Sequence, residues 1–157
     1  MTVPTTTKVA LSPQEKQVLE GLAAGDSTAD IARRLEIRHS TVGDFLKTAR
    51  IKLHGACDSV AAVAAGFATG AIGRPPLLDP EAVFVSREQR ELVPLIARGL
   101  SAEQVAAELK PPRPVADVRA DARELLSSLG ARNRCHLVTR AWQYRLLTED
   151  RVSAWLG

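Results

Sequence analysis

Two groups of cationic residues are spaced so that they could act on a polyanion. Between Arg33 and Lys52 lie six basic side chains (Arg33, Arg34, Arg38, Lys47, Arg50 and Lys52) against two acids, Glu36 and Asp44. Arg119 and Arg123 are four residues apart, so on a helix they share one face. Guanidinium and ammonium groups placed this way can neutralise phosphate oxygens, and an arginine fork matches the acceptor edge of guanine. Hydroxyls at Ser27, Thr28, Ser40 and Thr41 could donate to the same oxygens. Each cluster also has a plainer reading. A basic stretch is often a solvated helix face, and Arg119 and Arg123 have Asp117, Asp121 and Glu124 in reach as ion-pair partners. On residue type alone both readings stand.

Other chemistries find little support. His39, His54 and His136 have no metal-ligand spacing with one another or with Cys57 and Cys135, so no metal and no cofactor is expected. There is no Gly-rich phosphate loop, nucleophile elbow or catalytic carboxylate pair, which argues against an enzyme. Cys135 falls on an apolar helical position and reads as core. The two cysteines lack any CxxC pattern, which fits a reducing cytoplasm. No apolar run approaches the ~18 residues of a membrane span, and Met1–Ala10 lacks the features of a signal peptide and reads as a flexible tail. The net charge of +3 permits a nucleic-acid partner without requiring one. Aromatics make up only 4% of the 157 residues, so the core must come from Ala, Leu, Val and Ile, which suits packed helices.

The elements that would position these residues occur twice. Leu11–Leu35 aligns with Val85–Leu109 at an offset of 74, pairing Ser12 with Ser86, Gly25 with Gly99 and Ser27 with Ser101. Two extra residues then raise the offset to 76, pairing Val42 with Val118, Lys47 with Arg123 and Leu53 with Leu129. Ser12, Ser27, Ser86 and Ser101 each precede a Glu, Asp or Gln by three residues, the spacing of a capping box. Gly25 and Gly99 follow apolar stripes at helical period and predict helix stops. Each copy thus predicts four short helices. The third spans about His39 to Leu53 in the first copy; the fourth spans about Asp58 to Thr69, and its counterpart about Arg134 to Leu147. A short helix, a tight turn at Glu36–Arg38 and a longer helix with a basic face make a helix-turn-helix arrangement.

The stretch Leu11–Leu53, with its opening LSPQEKQVL, the glycine before DSTADIARRL, the STV at Ser40–Val42 and the closing Lys52-Leu53, closely resembles the LuxR-type, or GerE-type, DNA-binding domain of bacterial regulators. Val85–Leu147 resembles it more faintly. The expected fold is therefore all-α, as two tandem four-helix helix-turn-helix units: a tail over 1–10, a first unit over 11–72, a linker over 73–84 and a divergent second unit over 85–157. Extended, that linker could span ~40 Å, more than the ~34 Å between major grooves on one face of a duplex, so two units could read adjacent half-sites.

The resemblance implies sequence-specific binding of double-stranded DNA, with helix 3 in the major groove. Gly43, Asp44 and Lys47 would face bases, and so would Arg119 and Arg123 in the second copy. Ser27, Thr28, Arg38, Ser40, Thr41 and Lys52 would meet the phosphate backbone. Asp44 could accept from a cytosine amine or simply favour the helix dipole. The resemblance also implies pairing through helix 4. The small-residue run Val60–Ile72 allows that as a homodimer or within one chain. Trp142, Tyr144, Leu146, Leu147, Trp155 and Leu156 would pack the C-terminal segment onto the second unit, or mark a partner surface. A rival reading makes one or both units a protein-docking module, touching RNA polymerase or another regulator.

Overall fold

The structure, a computed structural model, describes residues 9–156, with Leu156 described by its backbone alone; among them there are helices and no strand. The first four helices are α1 (Pro13–Ala23), α2 (Thr28–Leu35), α3 (His39–Lys52) and α4 (Ser59–Thr69). A single 3-10 turn at Pro80–Ala82 precedes α5 (Arg87–Ala97), α6 (Ala102–Glu108), α7 (Val115–Leu129), α8 (Arg134–Gln143) and α9 (Glu149–Leu156). The tail expected over residues 1–10 lies outside the described residues up to residue 8, while Val9 packs half-buried against the core.

Local sequence chemistry sets these boundaries. Ser12, Ser27, Ser86 and Ser101 all form complete capping boxes. In each, the hydroxyl accepts from the third helical amide, and that residue's side chain accepts from the cap amide. Losing such a cap costs about 1 kcal/mol. Gly25 and Gly99 have φ of +92° and +82°, the left-handed turn that lets the chain reverse after α1 and α5. Asp58 and Asn133 cap α4 and α8.

The helix expected over about Arg134 to Leu147 is shorter, since α8 stops at Gln143. Arg145 turns to a φ of +61°, and the amides of Leu146 and Leu147 both fold back to the Ala141 carbonyl, at 2.8 and 3.3 Å. That turn buries Leu147 and launches α9. The expectation that the C-terminal segment packs onto the second unit needs correction: α9 packs against α4. Trp142 sits on Phe67 of α4 with ring centroids 5.5 Å apart, and the Arg74 guanidinium covers the indole at 5.3 Å.

Helix α4 therefore lies at the centre, packed by α1, α3, α5, α8 and α9. Val60 and every residue from Ala62 to Thr69 are buried. Its small side chains permit this: a Cβ on Gly66 would meet Leu19 and Ile72 at 3.0 Å. The segment over 73–84, read from the sequence as a linker, is tied to the helices at two points. Arg74 donates to the Phe67 and Ala68 carbonyls at 2.8 and 3.1 Å, and the Leu78 amide donates to the Gln143 carbonyl at 2.7 Å.

Two reciprocal contacts join the halves. Asn133 donates to the Gly25 carbonyl at 3.1 Å, while Asp58 presses on Gly99 so closely that a Cβ there would lie 2.5 Å from its Oδ1. Each helix-4 N-cap thus seats on the glycine turn of the other half. Thr139 adds a 2.6 Å bond to the Ala23 carbonyl, and the Cys57 thiol donates to the Arg98 carbonyl at 3.4 Å. Cys135 lies close by, and burial pushes its thiol up to about 11, with Asp58 adding to the shift, which makes it a packing residue.

Candidate functional site

Helix α3 presents the exposed basic surface of the first half. Its N-cap is Arg38, whose side chain makes no capping hydrogen bond, so the first amides of a 14-residue helix are not covered by any capping side chain. The surrounding side chains are Arg38 and Ser40, both exposed, and Thr41, half-buried. This combination of positive dipole end, unused donors and a guanidinium suits an anion such as a phosphate.

Along the outer face, Gly43, Lys47 and Ile51 follow one another at four-residue intervals, all exposed. A Cβ on Gly43 would meet nothing within 4 Å, and the stripe borders a surface depression of about 480 Å³ shared with Arg50, Gly55 and Ala56. The sequence reading included Gly43, Asp44 and Lys47 but missed Ile51. Its signal was the same four-residue step, one turn beyond Lys47. At 68% exposure, Ile51 is a large apolar side chain offered to whatever lies against this face.

The basic residues of this stretch divide into engaged and free. Arg34 pairs with Asp26 at 2.6 Å, and exposed Arg33 stands 3.9 Å from Asp30. Arg50 is structural: it donates to the Ala56 and Cys57 carbonyls at 2.9 and 2.6 Å and closes the turn into α4. Lys52 lies 2.8 Å from Glu15, which is only 4% exposed. Burial works to raise the Glu15 pKa, but the hydrogen bonds from Lys52 and Ser12 prevail and hold it below the ordinary carboxylate value. The side chains of Arg38 and Lys47 have no hydrogen-bond or ion-pair partner among the described residues.

Ser27 is occupied as the cap of α2, and the Thr28 hydroxyl lies 2.7 Å from His39 Nε2, tying the starts of α2 and α3 together. Asp44 is exposed, and its backbone carbonyl accepts from Thr48.

In the second half, Arg119 and Arg123 do stand exposed on one face of α7. Arg119 pairs at 2.6 Å with Glu103 of α6, which was not among the partners expected for it. Asp121 pairs with Arg113, and Glu124 accepts from Gln89. Arg123 borders a depression of about 530 Å³ along α7 that also includes Phe84.

Among the described residues no helix is long and apolar enough to cross a membrane. Compared with known proteins, residues 9–68 match the family model of bacterial regulatory proteins, luxR family, while no curated protein and no solved structure matches the chain. The match covers α1 to α3 and nearly all of α4.

Proposed function

We propose, on the premise that residues 9–68 form a LuxR-type helix-turn-helix domain, that this protein is a transcriptional regulator that binds duplex DNA sequence-specifically, with α3 in the major groove. The observation that carries the reading is the pairing of two uncompensated cations, Arg38 and Lys47, with the open N-terminus of α3. At about 1.5 Å per residue the helix is roughly 21 Å long, enough to lie along a groove. Arg38, Ser40 and Thr41 hold phosphates; Lys47 reaches base edges, and Gly43 leaves room for them. Ile51 supplies an apolar surface of the kind that meets a thymine methyl. Ser27, Thr28 and Lys52 position the frame, since their side chains are already committed to protein partners.

Fluorescence anisotropy with a duplex selected from a random library tests this. Lys47→Ala should weaken binding to the selected site by about 1–3 kcal/mol while leaving non-specific binding much less affected. Arg38→Ala should weaken all duplexes alike and reduce the salt slope by about one. If neither change moves affinity, α3 is not the reader.

A second reading, a surface that docks protein such as RNA polymerase or another regulator, is favoured by one observation. Phe84 is 84% exposed at the edge of the α7 depression. An apolar protein contact there would depend weakly on salt, whereas phosphate contacts make affinity fall steeply with it.

A further inference from the structure

Helices α3 and α7 hold the same place in the two halves, so their surroundings can be compared position by position. Arg38, N-cap of α3, has Pro114 as its counterpart. Ser40 has Ala116, and Thr41 has Asp117, whose carboxylate stands in the first turn, where a phosphate would have to approach. Thr28 has Ala102, and Lys52 has Ser128. The exchanges at 38, 40 and 41 each remove a donor or a cation where phosphate would be held, and one of them adds a negative charge, while Thr28 and Lys52 are already engaged by His39 and Glu15. Only Ser101 survives among the backbone-contact positions, and it is occupied as the cap of α6.

The reading stripe differs as well. Where α3 shows Gly43, Lys47 and Ile51, α7 shows Arg119, Arg123 and Ser127. These arginines lie among Asp117, Asp121 and Glu124 on α7 and Glu103 on α6, and Arg119 is already held by Glu103. Three acids against two bases make α7 net negative, whereas α3 carries Lys47, Arg50 and Lys52 against Asp44 alone. A duplex laid on α7 would find base-reading arginines but no anchors for its backbone, and anchors supply most of the affinity.

What α5–α9 do provide is cover. They enclose α4 from several sides, through α5, α8 and α9, and seat Asn133 and Gly99 on the first half. With Ala62–Thr69 wholly buried, α4 offers no face to a second chain.

We propose that the protein engages DNA through α1–α4 alone, with α5–α9 acting in cis as the permanent partner of α4. Its target is then one recognition segment without twofold symmetry, bound by one chain. This rests on the DNA-binding reading above and narrows it from two readers to one.

The test uses the full chain in a selection from random duplexes, followed by hydroxyl-radical footprinting on the enriched site and sedimentation of the complex. The expected result is a single contiguous motif, one protected groove segment and a one-to-one complex. Arg119→Gln/Arg123→Gln should change affinity less than about twofold and leave the salt slope unchanged, while Arg38→Gln/Lys47→Gln should weaken binding about tenfold or more and flatten the slope by about one, through Arg38. Thermal melting of each variant checks that it is folded. An enriched inverted or direct repeat with half-sites about one helical turn apart would overturn the proposal, as would an equal loss from the α7 variant. A wild-type chain that enriches no duplex even at low salt overturns the DNA-binding reading itself, an outcome distinct from either of these.

Discussion

Glu15 shows how a single buried charge can determine where a neighbouring one is useful. Its carboxylate is almost sealed, and Lys52 is the cation that makes this tolerable. A lysine at the end of a basic helix was expected to meet phosphate, and the sequence could not reveal that an acid 37 positions earlier would claim it. Removing it with Lys52→Met should cost about 1–3 kcal/mol, because the buried carboxylate loses its cation and keeps only its capping-box bonds with Ser12. The pH dependence has a definite sign. The Glu15 pKa is lowered on folding, so its stabilising contribution is present above the unfolded value near 4.5 and is lost as pH falls below it. Urea titrations of the wild-type chain from pH 6 to pH 3 should show that loss, and Lys52→Met should lack this part of it. An unchanged acid-side slope in the variant would mean that the pair does not contribute.

At the scale of elements, the sequence was most legible where the signals are local. Four capping boxes, two glycine stops and the apolar stripes fix α1, α2, α5 and α6 almost to the residue. What stayed hidden depends on contacts between distant segments. The end of α8 at Gln143, the docking of α9 on α4 and the pinning of residues 73–84 leave no trace in helical period. The small residues of α4 announced close packing but not its partner. Gly99 offers a direct test of that packing. Gly99→Ala and Gly70→Ala both place a side chain at positive φ, at a cost of roughly 1–2 kcal/mol. Only Gly99 also drives a Cβ into Asp58 and Cys57, since the space at Gly70 is open. Its penalty should exceed that of Gly70 by about 1–3 kcal/mol in chemical denaturation. Equal penalties would show that the joint between the halves is loose.

For the whole molecule, the consequence of a shared central helix is cooperativity. The halves share α4 and exchange caps, so unfolding followed by tryptophan fluorescence, which reports Trp142 and Trp155, should coincide with helix loss by circular dichroism. Phe67→Ala should lower both transitions together by about 3–5 kcal/mol; separate midpoints would show that the halves unfold independently. A fragment ending at residue 72 should show weak, non-cooperative helicity, because α4 would face water where α8 and α9 now cover it. The same feature has a meaning in time. A ribosome completes α4 well before α8 and α9, and at 5–20 residues per second the delay is on the order of ten seconds. During that interval a nascent segment of alanine, valine and phenylalanine has only α1 and α3 against it and lacks the cover that α5, α8 and α9 later give. The cover of α4 is thus complete only when the C-terminal half has been made, so on the proposed DNA-binding role a message cut short yields no partial product able to occupy DNA.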